Sequence, residues 1–158
     1  MNPEIQSAQL FYHGAGWAGA MAAECAAAQK SIHASALSMH TPTPNAAGDW
    51  PELYRAWCAA ARRGVRVAIW LPAPTQIHPA TKGNITAGRS ASASGIEVHY
   101  IIGNRLLHAK TAVIDGTSIW VGSGNFTAAA AHFNHEAYLQ AKCPHIAKQM
   151  IARWESLA

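Results

Sequence analysis

Cysteine is scarce in this chain: Cys25, Cys58 and Cys143 are the three among 158 residues, odd in number and far apart. That excludes a disulfide framework and a paired-cysteine metal site, and it predicts three buried thiols. Charge is also sparse. Only 13% of residues are Asp, Glu, Lys or Arg while 50% are hydrophobic, which excludes extended disorder. No uninterrupted apolar run approaches the roughly 20 residues of a membrane-spanning helix, so no integral membrane association is expected. The first residues, MNPEIQSAQLFYH, lack a basic n-region and an apolar h-region, so no signal peptide is read there. A cytoplasmic protein and one exported after signal removal both stay open. Nine histidines are present, but none shows HxxxH spacing. No metal and no cofactor are expected.

What is present is a modest basic excess. Twelve Lys and Arg against eight Asp and Glu give a formal charge of +4 and a pI near 9.2, which suits an anionic partner such as nucleic acid or an acidic lipid surface. A mass of 16.8 kDa fits a single domain, 1–158, with room for a real core.

Secondary-structure signals alternate along the chain. Residues 8–12 read as a short strand before the loop HGAG. The Ala-rich Trp17–Lys30 reads as helix. Residues 31–38 alternate like a strand, and TPTPNAAGD is a loop. A helix opens at Asp49 or Trp50, carries Pro51 in its first turn and stops at Gly64. VRVAIWL, residues 65–71, reads as a buried parallel strand. Residues 79–94 suggest a loop with a weak helix, and 96–102 another strand. A hairpin follows: Leu107–Ile114, a tight turn at Asp115-Gly116, then Ser118–Val121. A short helix at 126–131, a strand at 135–141 and an amphipathic helix from Pro144 to Leu157 close the chain. The fold class is therefore α/β, a mixed β-sheet flanked by helices on both faces.

The hairpin carries the chemistry. Alternation along a strand puts His108 and Lys110 on one face. An imidazole beside an ammonium calls for an anionic partner, because an unpaired buried charge is costly. A phosphate would satisfy Lys110 and leave His108 free as nucleophile or proton carrier. The returning strand brings Gly122-Ser123-Gly124-Asn125 back beside them. There the glycines permit close approach, a helix start is expected to offer N–H groups, and Ser123 and Asn125 add side-chain donors. Asp115 reads as the Asp of an Asp-Gly turn.

The pattern H-x-K-x4-D, here His108, Lys110 and Asp115, is followed after six intervening residues by G-S-x-N, here Gly122, Ser123 and Asn125. It resembles the phospholipase D (HKD) superfamily. One copy rather than two, on a chain of this size, is most similar to that superfamily's small bacterial endonucleases of the Nuc type. ARRGVRVAIWL, GIEVHYI and the helix Pro144–Trp154 also fall where that family has equivalents. The resemblance implies a phospholipase D-like fold and a homodimer whose two copies share one active site. It implies that His108 attacks phosphorus to form a phosphohistidine. Lys110 and Asn125 would then hold the non-bridging oxygens, with Ser123 in support. Glu136, in the setting Asn134-His135-Glu136, would orient the histidine, while Asp115 and Gly122 are structural.

Double displacement needs an acid for the leaving oxygen as well as a nucleophile, and a second His108 across a two-fold axis can supply it. The function expected is metal-independent hydrolysis of nucleic-acid phosphodiesters, with DNA as substrate and RNA left open. The alternatives are a lipid phosphodiesterase of the phospholipase D type and a non-catalytic nucleic-acid-binding module. Other residues are weighed as follows. His13, His33 and His99 are candidates to line the cleft, and His78, His132, His135 and His145 read as loop or surface residues. Trp17, Trp57, Trp70, Trp120 and Trp154 read as core, and Trp50 is a candidate for stacking on bases. Arg62, Arg63, Lys82, Arg89 and Arg105 are candidates for phosphate contacts.

Overall fold

Seven strands form one mixed sheet in the computed structural model, which describes residues 4–12, 14–74 and 78–157. In chain order the elements are β1 (Ser7–Tyr12), α1 (Gly14–Ala27), β2 (Ser31–Ser35), α2 (Asp49–Arg62) and β3 (Arg66–Pro72). Then come α3 (Asn84–Ala93), β4 (Glu97–Ile101), β5 (Lys110–Ile114), β6 (Ser118–Gly122), α4 (Ala128–His132), β7 (Ala137–Lys142) and α5 (Pro144–Glu155). The sheet order is β1-β7-β6-β5-β2-β3-β4. Strands β2, β3 and β4 are parallel to one another, and the other pairs are antiparallel.

Residue type explains the layering. In β3 every residue after Arg66 is buried, as suits a strand covered on both faces. Ile32, Ala34, Val67, Ile69, Ala112 and Ile114 turn toward α1, α2 and α4, where Trp17, Met21, Trp50, Trp57 and Phe126 complete a large core. Ala68, Trp70, Val113 and Ile119 turn the other way, onto Ala147 and Trp154 of α5. Helices thus cover both faces, as expected. Helix α2 carries Asp49 and Glu52 in its first turn and Arg62 in its last, matching the helix dipole. It ends where Gly64 takes φ +87°. All three cysteines are free and buried.

Several expectations shift. Helix α1 begins at Gly14, not Trp17, and His13 lies outside the described residues. Strand β2 ends at Ser35, and residues 36–38 continue as buried irregular chain. Trp50 is not a stacking platform: it is 1% exposed, edge-on to Trp57 and stacked on Phe126. Arg63 donates to the carbonyls of Ala26 and Ala28, so its guanidinium joins α1 to α2. Arg62 and Arg63 also lie at the end of the sheet opposite His108. His33 does not line a cleft. It is 3% exposed, packed against the mutually stacked rings of Trp70 and Trp154, and burial pushes its imidazole below the ordinary range, helped by Arg66. His99 stacks on Trp70 at 4.8 Å.

The β5–β6 turn does more than reverse the chain. Asp115 and Gly116 both take positive φ, 52° and 67°, the geometry that Asp-Gly favours in two-residue hairpin turns. From that position the Asp115 carboxylate accepts N–H bonds from Gln29, Lys30 and Ser31 at 3.0, 2.8 and 3.1 Å. It thereby holds the hairpin against the link between α1 and β2. Burial alone would raise its pKa, but the N–H bonds and the charge of Lys30 outweigh that and hold it below the usual carboxylate value.

A lowered folded-state pKa contributes stability above the unfolded value that is lost as pH falls. Asp115→Ala should therefore cost about 2 kcal/mol at pH 7, the scale of hydrogen bonds to a charged group. Urea denaturation of both proteins should show that difference shrinking as pH drops below about 4. A difference independent of pH would contradict this role.

Candidate active site

Strand β5 begins at Lys110, three residues later than the expected start at Leu107, so His108 lies just outside the sheet. Register explains why the site still assembles. Lys110 pairs with Gly122 across the hairpin, and Gly122 pairs with Tyr138 on β7. Three sequence-distant segments, around 108–110, 122–125 and 136–138, therefore meet at one edge of the sheet, beside the carboxyl ends of β2, β3 and β4.

Lys110 is only 6% exposed. Its Nζ donates to the carbonyl oxygen of His108 at 2.6 Å and lies 3.0 and 3.3 Å from that residue's Nδ1 and Nε2. An ammonium can only donate, so the ring nitrogen facing it must accept, which requires a neutral imidazole. Burial, the Lys110 charge and His78 all hold the His108 pKa below the ordinary value. Burial likewise lowers the Lys110 pKa, while Glu136 works against that. Among the described residues no carboxylate forms a salt bridge with Lys110, so its charge remains available to an anion.

The glycines of the Gly-Ser-Gly-Asn cluster answer to Tyr138. A Cβ on Gly122 would stand 2.4 Å from the Tyr138 ring and 2.5 Å from the Ala137 carbonyl oxygen. One on Gly124 would meet Tyr138 at 3.1 Å and Trp17 at 3.3 Å. Tyr138 is fully buried, stacks on Trp17 at 4.3 Å, and donates its hydroxyl to the Gly124 carbonyl. Backbone thus lies directly on a ring, an approach open only to glycine.

Ser123 donates to Glu136 and accepts from the Ala137 N–H at 3.1 Å. Glu136 also accepts from the Asn134 amide at 3.0 Å. Within one chain its carboxylate therefore engages Ser123 and Asn134, with no bond to His108. The Asn125 amide oxygen accepts the Ser38 N–H at 3.2 Å, which leaves its NH2 as the donor end. Helix α4 does not open on the cluster. It starts at Ala128 after a Thr127 cap whose hydroxyl takes the Ala130 N–H, so the expected array of free helix N–H groups is not part of the site.

Residues 22–158 match the family described as "Cardiolipin synthase, PLD-like domain". The chain belongs to that family. The structure is similar to Nuc from Salmonella typhimurium, a phospholipase D family member, at 25% identity and a TM-score of 0.74 over 96% of this chain and 93% of that one. It is similar in fold to NucT from Helicobacter pylori (16% identity, TM-score 0.70, 98% and 96% coverage). The same holds for a phosphatidylserine synthase from Haemophilus influenzae Rd KW20 (14%, 0.65), where 95% of this chain matches 37% of the other. Comparison with curated proteins gives no match. A PLD-like domain spanning nearly the whole chain carries a phosphodiesterase fold, and the hairpin residues described above lie together on it.

Sequence reasoning missed part of what holds this PLD-like site. Asn84 is fully buried; its amide donates to the Leu37 and Pro72 carbonyls at 3.0 Å each and accepts the Met39 N–H at 3.1 Å. It fixes the segment whose Ser38 N–H seats Asn125. No composition or spacing signal marks it, since it sits in a stretch of small polar residues. Of the arginines, Arg105 lines a hollow of about 340 Å³ with His108, joined by Arg153, Leu106 and Trp154. No group of three or more His, Cys, Asp or Glu among the described residues is arranged to hold a metal ion.

The position of Lys110 gives a direct prediction for His108. By NMR titration its ring should titrate below about 6.5, the ordinary imidazole value. Lys110→Met removes a repelling charge and should move that midpoint upward. An unchanged midpoint would contradict the contact.

Proposed function

We propose that this PLD-like phosphodiesterase hydrolyses nucleic-acid backbone without a metal, through a phosphohistidine on His108 and with a site completed by a second copy. The observation that carries it is the neutral His108 ring against the buried Lys110 ammonium. When a phosphodiester enters, its oxygens replace the imidazole as acceptors for Lys110 Nζ, which frees the ring lone pair. A nitrogen of His108 then bonds to phosphorus and the bond to the leaving oxygen breaks. The second copy's His108, which starts protonated because two rings facing one phosphate take opposite protonation states, gives that oxygen its proton. The same residue next takes a proton from water as the water attacks phosphorus and the P–N bond breaks. Lys110 and the Asn125 NH2 hold the non-bridging oxygens, so charge growing in the transition state meets fixed donors. Ser123, tied to Glu136, holds the loop that presents Asn125.

The sheet supports pairing of two copies. Leu10, Leu139 and Val121 are 55%, 41% and 44% exposed and adjacent in register across β1, β7 and β6. The row continues to Thr111 on β5. It adjoins a shallow hollow lined by Ala109, Ile146 and Met150. An uncovered apolar face that runs to the neighbour of His108 suits a second copy better than water. The basic balance favours nucleic acid over a lipid headgroup.

In EDTA the wild-type protein should nick plasmid DNA and leave phospholipid vesicles intact, and His108→Ala should lose at least about a thousandfold in rate. Vesicle hydrolysis without DNA cleavage would move the reading to lipid. Leu139→Glu should shift the sedimenting species from dimer to monomer and remove activity with it. A fully active monomer would contradict the shared site.

A further inference from the structure

A second cleft lies on the other side of Asn125 from His108. Met39 and Phe126 form a parallel bridge, the His40 N–H donates to the Phe126 carbonyl at 3.0 Å, and the Phe126 N–H donates to Ser38 at 3.1 Å. Beyond this pairing the chain segments part around a cavity of about 260 Å³ lined by His40, Thr41, Thr43, Trp50, Ala128 and His132. Ala128 follows Asn125 by three residues, so this wall stands within about 11 Å of the phosphate-holding amide along the chain. The nucleotide next to a bound phosphate reaches it.

Three features mark this cleft as built. First, its rim is tied by hydrogen bonds to buried side chains. The Trp50 Nε1–H holds the His40 carbonyl at 3.2 Å, and Asn84 holds the Met39 N–H. Second, each imidazole is seated against a glycine. A Cβ on Gly48 would fall 2.7 Å from His132 Nε2, and one on Gly83 would fall 3.5 Å from the His40 ring. Gly48 takes φ +110°, so the loop closes onto His132 in a conformation that side-chain-bearing residues resist. Third, outside the lining of the cavity but against one of its walls, Phe133 is 83% exposed and edge-on to the His132 ring at 6.2 Å. Along the chain it falls between that histidine and the Asn134–Glu136 pair. A large aromatic displayed to water beside a phosphate site is the form of a base-stacking platform.

Resting on the nuclease reading, we propose that Phe133, His132 and His40 form a nucleobase subsite. Phe133 stacks on the base of the nucleotide flanking the scissile phosphate, and the two imidazoles and the Thr41 and Thr43 hydroxyls meet its polar edge. Stacking accepts any base and hydrogen bonds from a small rim choose weakly, so the subsite adds affinity with little sequence preference. A base must leave its duplex to reach this position. Single-stranded or frayed nucleic acid is therefore the favoured substrate.

The test compares two diesters that release the same p-nitrophenolate: methyl p-nitrophenyl phosphate, with no base, and thymidine p-nitrophenyl phosphate, as its 3′ and 5′ isomers. For the wild type, one thymidine isomer should show a KM about tenfold lower than the methyl diester, within what one base–aromatic stack contributes. Phe133→Ala and the pair His40→Ala/His132→Ala should abolish that advantage while leaving kcat/KM for the methyl diester within about twofold of wild type. Phe133 is exposed, so its variant keeps the fold even if the histidine pair does not. An equal loss on both substrates would overturn the subsite, as would an advantage that persists in Phe133→Ala. A change confined to sedimentation would assign Phe133 to contact between copies and also overturn it. If the wild type hydrolyses the methyl diester but cuts no DNA or RNA, the nuclease reading fails, and the subsite with it.

Discussion

A lysine ammonium almost removed from water, with an imidazole as its neighbour and no salt bridge to a carboxylate among the described residues, organises this structure. The charge of Lys110 is tolerable because its donors are taken by the His108 carbonyl and ring. That arrangement needs the backbone of Gly122 directly across the hairpin, which in turn needs the Tyr138 ring packed where a Cβ would otherwise stand. Glycine at 122 and 124, the Trp17–Tyr138 stack and the register of β5 on β6 are one constraint seen from different residues. The buried cation favours the neutral ring, and on the proposed reading it also attracts the anion whose arrival releases that ring.

The two faces of the sheet divide the labour. Toward α1, α2 and α4 lies the larger core, rich in tryptophan, which holds the loops carrying Ser38, His40 and Asn125. Toward α5 the cover is partial, and β1, β7 and β6 leave a strip of Leu10, Leu139 and Val121 in water. The hairpin that carries His108 and Lys110 lies between these regions. On the proposed reading the strip receives a second copy, and the loops around Asn125 receive the nucleic acid. Substrate and partner then approach from different sides of the same histidine.

Much of this could be read from the residues alone, for identifiable reasons. Alternation, the Asp-Gly turn and the Gly-Ser-Gly-Asn return are local signals. They placed His108, Lys110 and Asn125 together before any tertiary contact was known. The mixed sheet followed from helices alternating with strands. What escaped was non-local. Asn84 acts through three backbone groups distant in sequence. Trp50 is as apolar on a helix face as beside a loop, and only the position of Phe126 decides that it is core. Glu136 was expected to orient His108, but its partners within the chain are Ser123 and Asn134. The helix start expected at Phe126 moved to Ala128, where Thr127 caps it. Asp115 was read as a turn residue, and only the fold shows its carboxylate reaching back to residues 29–31.

The central claim is that a neutral His108 becomes covalently bound to phosphorus. It is tested by mixing enzyme with a DNA substrate, quenching within the first turnover in alkaline denaturant, where phosphohistidine survives, and determining the mass of the peptide that contains His108. The account predicts that this peptide carries the phosphoryl-linked DNA fragment and that the adduct disappears as turnover completes. Rapid turnover with His108 unmodified at every time point, or an adduct on a different residue, would contradict it.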